Sequence, residues 1–530
     1  MKANQKKKRR HDFIVIRKKG IASLVLSMVM CGSILAACGN DSAESPAKSQ
    51  DSAVRTNDKV ETIVFAMPSF NRIPDDLSQV TDAINKITIE KIGVKVDFKV
   101  YGPADYTQKV NLALQSGEQM DLFTTLGQFT SYVSKNQLYP LDELLPKYGK
   151  EMTAILDKDF GPGLLKSTTM NGHIYGIPVN KGMSIPVNFV YNTDMLKEVG
   201  YSSDSIKSVE DLPAIFEAVK KKYPDITPFG PLNVNPSDTM LMLLLRGANQ
   251  VDFLSDTTGV GAVIGNDGKV VNFYETDIFK NGVKMMRDWF NKGYLQKDAA
   301  STSIAFPEMI ASGRGFSFLG GYSGMEAAKA LSAQAGKHLE MKRIAPYYFE
   351  TGAVNLVSWM VASTTKAPEA AVKFLNLMYS DADLVNTILY GIEGDDYIKV
   401  DEHHVKFPEG KDASTVPYTA MLSSGIVGSE SLQYQLEGVN WTDVELKLKE
   451  NKETKRSPYF GFIFDQSKIK SQMSAVNNVV SQYLPGLVCG SLDPDTTIPK
   501  FVQALNDAGA QTIIQNKQEQ LNQWIASQKK

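Results

Sequence analysis

Cysteine and histidine are scarce in this chain, which has three cysteines and five histidines among 530 residues. Cys31 and Cys38 lie near the N-terminus, so Cys489 stands alone in the remaining sequence, which excludes a disulfide framework there. His403 and His404 are neighbours, and adjacent residues of a strand point to opposite faces, so this pair is poorly suited to hold one ion. The sequence therefore predicts no metal site, and we expect no cofactor.

Excess positive charge is confined to the first 20 positions, which carry nine Lys or Arg and one acidic residue. The rest of the chain has 48 basic and 58 acidic residues, a net charge of −10. Proteins bind nucleic acids largely by neutralising phosphates with Lys and Arg. A body this acidic is unsuited to that role, so nucleic-acid binding is not expected.

The N-terminal apolar run, residues 21–35, is shorter than the roughly 20 residues that a membrane-spanning helix needs. It follows the basic stretch, an order typical of a secretory signal. Leu35-Ala36-Ala37-Cys38 resembles the bacterial lipobox, which implies a signal peptide at 1–37 and lipidation of Cys38. An uncleaved signal anchor with an incidental cysteine is the alternative. Residues 38–58 have too few large apolar side chains to become ordered, so they are predicted to form a flexible tether.

Strand and helix patterns alternate beyond the tether. A β-rich run at 61–66 is followed by a helical pattern, alternating apolar residues at 94–100, a second helix and a short apolar strand at 121–125. A second set of elements begins near Pro186, and after about residue 400 a hairpin and long helices follow. This alternation favours parallel, doubly wound sheets covered by helices. We therefore predict two α/β lobes with crossing connections and a helical C-terminal extension.

Sequence signatures of enzymes are incomplete. Gly321-Tyr322-Ser323-Gly324 lacks the downstream glycine of a nucleophile elbow, and no phosphate-binding loop occurs. Acidic residues are numerous, but closeness in sequence does not distinguish a glycosidase pair from a solvated loop. No catalytic residue is predicted.

Aromatic and polar residues collect instead in loops that follow the predicted strands. In open α/β sheets, ligands bind outside the carboxyl ends of the strands. Aromatic rings can cover the C–H face of a sugar, while amides and carboxylates bind its hydroxyl groups. The predicted ligand-binding residues, with Tyr322 and Trp359 as the stacking surfaces, are Phe70, Arg72, Gln128, Asn188, Arg314, Tyr322, Trp359 and Glu393.

Several stretches spread over almost the whole chain resemble the extracellular solute-binding lipoproteins of ABC importers. The resemblance is strongest to the large oligosaccharide-type proteins of Gram-positive bacteria that carry a C-terminal extension. The stretches are the lipobox with its tether, residues 191–196, 267–271, Trp359 before 366–371, 390–394, 461–465, and Ala508-Gly509 followed by 518–524.

The resemblance implies a periplasmic-binding-protein-like fold of type II, in which two doubly wound lobes are joined by hinge crossovers and enclose the ligand. The implied body spans about 59–400, followed by a mainly helical C-terminal extension at 401–530. Lobe 1 is expected at about 59–185 with part of 320–400, and lobe 2 at about 186–320.

The resemblance also implies capture of an oligosaccharide and its delivery to ABC permease subunits that work with a cytoplasmic ATPase. We expect a monomer that performs no chemistry on its cargo. Lipidated Cys38 would hold it at the outer face of the cytoplasmic membrane. Two alternatives stay open: a surface-anchored enzyme that degrades polysaccharides, and an oligopeptide-binding or sensor-coupled receptor.

Overall fold

The computed structural model describes residues 60–74, 77–184, 186–230, 240–256, 258–300, 306–322, 325–346, 348–420 and 425–529. The predicted signal peptide, Cys38 and the tether lie outside these residues. Within them, no helix combines the length and the apolar character required to cross a membrane.

Most strands are short outside two central sheets. In chain order they are β1 (Glu61–Pro68), β2 (Val94–Tyr101), β3 (Leu122–Thr124), β4 (Thr169–Met170), β5 (His173–Ile174), β6 (Ile177–Pro178), β7 (Val187–Asn192), β8 (Thr227–Gly230), β9 (Val251–Asp252), β10 (Val260–Ile264), β11 (Val271–Asn272), β12 (Gly315–Gly320), β13 (Leu339–Ala345), β14 (Ser358–Val361), β15 (Ile398–Lys399), β16 (His404–Lys406) and β17 (Gln435–Leu436).

Helices cover the sheets and make up most of the C-terminal part. They are α1 (Ser78–Ile92), α2 (Pro103–Ser116), α3 (Phe129–Ser134), α4 (Leu145–Tyr148), α5 (Lys150–Phe160), α6 (Thr193–Glu198), α7 (Leu212–Lys222), α8 (Met240–Asn249), α9 (Asp277–Asn291), α10 (Phe306–Ala311), α11 (Met325–Ala335), α12 (Thr351–Asn355), α13 (Pro368–Ser380), α14 (Ala382–Tyr390), α15 (Trp441–Glu453), α16 (Lys470–Val488), α17 (Pro494–Asp507) and α18 (Ala510–Ser527). Short 3-10 helices lie at Leu164–Thr168, Ser203–Ser205, Val209–Asp211, Phe273–Glu275 and Glu430–Leu432.

The first central sheet has the strand order β2-β1-β3-β14-β6. β1 is parallel to β2 and to β3, and β14 is antiparallel to both β3 and β6. From Ile63 onward β1 is buried on both faces, as expected for a parallel strand covered by helices on both sides. At the edge of the sheet, β2 alternates buried apolar with more exposed residues.

The second central sheet has the order β13-β7-β12-β8. β12 is parallel to β8, whereas β7 is antiparallel to its neighbours β12 and β13. All six residues of β7 and of β12 are buried, which places these two strands at the centre of the sheet.

Both sheets are therefore mixed, whereas the alternation of strands and helices predicted parallel ones. The reason lies in the chain connections. Residues 179–186 link β6 to β7, and residues 346–357 link β13 to β14. Each of these crossovers brings the chain into the other sheet at the edge where that sheet's parallel strands end, so the strand that follows must run the opposite way.

The two sheets have separate hydrophobic cores, and we name the surrounding parts lobe 1 and lobe 2. The lobe 1 core draws buried residues from 63–183 and 349–427, with Phe460. The lobe 2 core draws them from 187–319 and 462–521, with Ala345 and Tyr459. The C-terminal part thus contributes to both cores, and its last three helices, α16 to α18, belong to lobe 2. The exact domain boundaries stay a prediction.

A buried ion pair fixes the last helix to lobe 2. Lys517 of α18 and Asp256 are 1% and 2% exposed, and Lys517 Nζ lies 2.9 Å from Asp256 Oδ2. The same ammonium group donates to the carbonyl oxygens of Phe253 and Gly261 at 3.2 and 2.9 Å. Because each partner neutralises a charge that has left water, removing one of them leaves the other charge buried.

Replacing Lys517 by Met should therefore destabilise the protein by about 3 kcal/mol, because the Asp256 carboxylate loses its buried counter-charge. The free energy of unfolding can be measured by urea titration followed by circular dichroism. The same replacement at exposed Lys500 of α17 is the control and should change stability by less than about 0.5 kcal/mol. Equal effects of the two replacements would contradict a stabilising role for the pair.

Candidate functional site

The edge of the lobe 1 sheet where β1 and β3 end carries three of the predicted site residues. Phe70 and Arg72 follow β1, and exposed Gln128 lies at the start of α3, just after β3. Because β14 is antiparallel to β3, its first residue lies at this same edge. Gly127 N donates to Leu356 O at 2.7 Å, which joins the Gln128 loop to the segment before β14.

The Phe70 loop is supported from the C-terminal side of lobe 1. The Arg72 guanidinium donates to Val416 O at 2.6 Å and to Pro417 O at 3.0 Å. Ser69 Oγ donates to Ala420 O at 3.1 Å. These bonds hold the loop in place, while the Phe70 ring is left 53% exposed at its tip. Arg72 is thus a support of the loop in this structure.

In lobe 2, Asn188 and Tyr322 lie together at one edge of the sheet. Asn188 of β7 pairs with Gly320 at the end of β12, and Asn188 Nδ2 donates to Tyr322 O at 2.6 Å. The Tyr322 ring packs edge-on against Phe318, and burial raises the pKa of its hydroxyl. Any Cβ at position 320 would come within 2.2 Å of the Tyr322 ring, so only glycine allows the ring to lie over the strand end.

The other three predicted residues do not present their side chains at these edges. Trp359 is 0% exposed, lies in the lobe 1 core, and its indole N–H donates to Ile426 O at 2.9 Å. This placement corrects the prediction that Trp359 is a stacking surface. β14 is covered on both faces, and Trp359, the first residue of β14 that pairs with β3, has its side chain in the core.

Arg314 and Glu393 are exposed, but they lie elsewhere. Arg314 precedes β12, so the length of that strand, about 20 Å, separates it from the edge that carries Tyr322. Glu393 lies on the turn after α14, and that turn connects to the Phe70 loop through Tyr418 and Ala420. We call the edge that carries the Phe70 and Gln128 loops, and the edge that carries the Tyr322 loop, the loop-bearing edges. Some of the predicted residues lie at these two edges, and the others lie at more remote positions.

The sequence interpretation missed apolar residues at the lobe 1 edge. Leu356 is 56% exposed and Ile73 is 40% exposed, next to the Phe70 and Gln128 loops. Large exposed apolar side chains grouped at one place are typical of a binding surface. A single apolar residue in a loop gives no periodic signal, and only the pairing of β14 with β3 places Leu356 beside Gln128.

In each sheet, the loop-bearing edge is also the edge at which the crossovers leave and enter. Residues 179–186 leave lobe 1 beside Ser358 and enter lobe 2 just before Asn188. Residues 346–357 leave lobe 2 beside Val187 and reach lobe 1 at Leu356. Each edge thus faces the connections to the other lobe, the arrangement that forms an interlobe cleft.

A third connection runs beside the second crossover. It leads from α15, which packs against α5 of lobe 1, to residue 459 in the lobe 2 core. Phe349 N donates to Lys455 O at 2.9 Å, and Ser457 N donates to Phe349 O at 2.8 Å.

Glu350 anchors the second crossover to lobe 2. Its carboxylate accepts from both Arg246 Nε, at 3.1 Å, and Arg246 Nη2 of α8, and from Phe253 N at 3.2 Å. Asp252 lies nearby, and its buried Oδ2 has no hydrogen-bond partner among the described residues. Burial raises the pKa of Glu350 to about 7; Arg246 opposes this shift, whereas the Asp252 carboxylate adds to it.

Among the residues that the structure describes, no three His, Cys, Asp or Glu side chains are grouped so that they could hold a metal ion. Apart from Arg72, which supports its loop, the side chains named at the two edges are aromatic, aliphatic and amide groups, which suit non-covalent binding of a hydroxylated ligand.

Comparison with known proteins identifies the family. Residues 81–390 match the family described as bacterial extracellular solute-binding protein. The chain belongs to this family. Residues 458–526, which include α16, α17 and all but the last residue of α18, match a domain of unknown function.

Two relatives of this solute-binding protein come from Streptococcus pneumoniae serotype 4 (strain ATCC BAA-334 / TIGR4). A carbohydrate ABC transporter substrate-binding protein is 29% identical over 509 residues, which cover 95% of this chain and 98% of the relative. The fructooligosaccharide ABC transporter substrate-binding protein FusA is 27% identical over 290 residues, 50% of this chain and 51% of the relative. The predicted resemblance to solute-binding proteins of ABC importers is thereby confirmed.

Solved structures agree with the fold. The N-glycan transport solute binding protein NgtS from S. pneumoniae superposes with a TM-score of 0.72 at 26% identity, over 88% of this chain and all of that chain. Its complex with Man5GlcNAc gives a TM-score of 0.61, over 88% and 99%. An extracellular solute-binding protein from Bifidobacterium longum subsp. infantis, at 17% identity and a TM-score of 0.65 over 89% and 99%, shares the fold. The predicted type II fold is confirmed.

Protonation of Glu350 should make the stability of the protein depend on pH. Its pKa is about 7 in the folded state and near 4.5 when unfolded, so the folded state holds the proton more tightly. The resulting stabilisation is complete below about pH 4.5 and is lost as the pH rises through about 7. We expect the free energy of unfolding of the wild type to fall over this interval relative to that of Glu350→Gln.

Urea titrations of both proteins between pH 4.5 and 8 would measure this difference, in which the other titrating groups cancel. A difference that stays constant across the interval would show that Glu350 does not take up a proton near neutral pH.

Proposed function

We propose that this protein is the substrate-binding component of an ABC importer, and that it holds an oligosaccharide between its two lobes. It releases the sugar unaltered to permease subunits in the membrane, which work with a cytoplasmic ATPase. The observation that carries the proposal is the position of the two loop-bearing edges, both at the crossovers. One edge presents Phe70 and Leu356, and the other presents Asn188 and Tyr322.

The chemistry of these edges supports a sugar as the ligand. A pyranose ring has apolar C–H faces, which aromatic and aliphatic side chains can cover, and hydroxyl groups that both donate and accept hydrogen bonds. Phe70 and Leu356 offer the apolar surface, and Gln128 offers an exposed amide, whereas Asn188 is buried and its amide N–H already donates to Tyr322 O. The site residues carried by the proposal are these four with Tyr322 and Arg72, the latter as a loop support.

The named relatives support the same class of cargo. The S. pneumoniae proteins are a carbohydrate and a fructooligosaccharide binder, and NgtS is named for N-glycan transport. They are binding proteins of transporters, which supports the absence of chemistry on the cargo.

Movement of the lobes is part of the proposal. The two NgtS structures are of the same named protein, yet they match this chain with TM-scores of 0.72 and 0.61. Such a difference fits lobes that change their relative position when an oligosaccharide binds. A ligand can shift this equilibrium only by the difference between its affinities for the open and closed forms.

Anchoring is proposed from the sequence. Cys38 follows the lipobox-like residues, and residues 39–58 provide a tether with a root-mean-square length of roughly 25 Å. Attachment there would hold a monomer at the outer face of the cytoplasmic membrane and raise its effective concentration near the permease.

Leu356→Ala should weaken oligosaccharide binding about fivefold, because a half-exposed leucine that a ligand covers contributes about 1 kcal/mol. The dissociation constant can be measured by isothermal titration calorimetry with neutral oligosaccharides that include Man1GlcNAc, Man5GlcNAc and kestose. Leu112→Ala is a matched control, because Leu112 is 58% exposed but lies on α2. It should bind as the wild type does.

Chromatography of each sugar after incubation completes the test. Recovery of intact sugar is expected, and new reducing ends would support a degrading enzyme instead. Failure of every sugar to bind, with binding of peptides in a parallel titration, would replace the proposal by a peptide receptor.

Cys38→Ser should abolish lipidation and release the protein from the membrane fraction of a bacterial host. Labelling with an alkyne fatty acid, followed by fractionation of cells and medium, would measure both effects. Cys31→Ser changes a cysteine inside the apolar run 21–35 and should leave labelling intact. Labelling that persists in Cys38→Ser would contradict the assignment.

A further inference from the structure

A cavity of about 550 Å³ lies between the last helix and the β4–β5 hairpin. The turn of this hairpin, Asn171-Gly172, forms one wall, residues 461–468 form another, and residues 516–527 of α18 form the third. The volume is in the range of ordinary small-molecule sites. Apart from the hairpin, the walls belong almost entirely to the part of the chain that matches the domain of unknown function.

The cavity is separate from the interlobe edges described above. None of the residues that line it belongs to the Phe70, Gln128 or Tyr322 loops. β6 runs toward the loop-bearing edge, because its last residue, Pro178, pairs with Ser358 at that edge. The β4–β5 hairpin precedes β6 in the chain and therefore lies farther from that edge.

Trp524 is the aromatic group of this cavity. It is partly exposed, and its ring also lines a second, adjoining cavity of about 140 Å³. The Phe462 ring packs edge-on against it, with 6.0 Å between ring centroids, and so holds the indole in position. The indole N–H donates to none of the described residues.

Polar side chains on the same helix, α18, also line the cavity. Gln520 is fixed, because its amide bonds both the N–H and the carbonyl of Asp465 at 2.9 Å. Gln523 and Glu519 form no hydrogen bond with any of the described residues, although both line the cavity. The lining has two carboxylates, Asp465 and Glu519, and one ammonium group, Lys468, so a negatively charged ligand is disfavoured.

We propose that this cavity is a second carbohydrate-binding site that takes a neutral sugar unit. The Trp524 ring covers the C–H face of the sugar, and Gln523 and Glu519 bind its hydroxyl groups. An aromatic ring beside free amide and carboxylate groups matches both surfaces of a pyranose.

Fluorine NMR of protein labelled with 5-fluorotryptophan tests the proposal. The chain has four tryptophans, and Trp524→Phe assigns the resonance of Trp524 by its loss. Man1GlcNAc and kestose are the probes, titrated up to about 10 mM, tenfold above the dissociation constant of a weak site near 1 mM. We expect a saturable shift of the Trp524 resonance whose midpoint rises at least fivefold in Gln523→Ala.

Gln515→Ala is the matched control, because Gln515 is exposed on the same helix and does not line the cavity. It should leave the midpoint unchanged. A Trp524 resonance that does not move with either sugar overturns the proposal.

A Trp524 shift whose midpoint follows that of the interlobe cleft also overturns it, because the resonance would then report only lobe closure. Leu356→Ala separates these cases: it should weaken cleft binding and leave the Trp524 midpoint unchanged. Cleft binding is measured by calorimetry independently of the Trp524 resonance, so failure of one site does not decide the other.

Discussion

The segments that cross between the lobes constrain everything else in this structure. A crossover enters a sheet at the edge where the parallel strands end, so the strand that follows runs antiparallel to them. The loops at those strand ends are thereby gathered around the connections between the lobes. The mixed sheets and the position of the proposed cleft are thus two consequences of one chain path.

The crossovers also determine where the lobes can move. Glu350 is held to lobe 2 by Arg246, while Leu356, a few residues later, is tied to the Gln128 loop of lobe 1. Only the short helix α12 lies between these two anchors. In this crossover, any change in the angle between the lobes must therefore be absorbed over a few residues, close to the carboxylate of Glu350, whose pKa burial raises to about 7.

Strand ends were predictable from the sequence, but the roles of individual side chains were less so. The apolar runs that become β1, β3 and β12 are bounded by turn residues, which correctly placed Phe70, Gln128 and Tyr322 in loops. Trp359 was misassigned because a run of four buried residues has no alternation that would reveal which face each side chain takes.

The cavity beside Trp524 had no sequence signal at all. Two of its walls are the β4–β5 hairpin and a helix some 350 residues later in the chain, and these meet only because Lys517 and Leu521 bury α18 in lobe 2. Helical periodicity indicates which residues of α18 are buried, but it cannot indicate that a hairpin of lobe 1 leaves a gap beside the exposed ones.

Because the proposed cleft is divided between an edge of lobe 1 and an edge of lobe 2, only some sugars can favour the closed form. Contacts with Phe70 and Leu356 alone are the same in the open and closed forms, so they increase affinity without favouring closure. Closure gains only from contacts that form on the lobe 2 edge, at Asn188 and Tyr322. A shift from 1% to 99% closed requires about 5.5 kcal/mol, whereas a hydrogen bond contributes about 1 kcal/mol net. A ligand must therefore reach lobe 2 with several hydroxyl groups and a ring face while it still occupies lobe 1, and an extended oligosaccharide meets this requirement better than a single sugar.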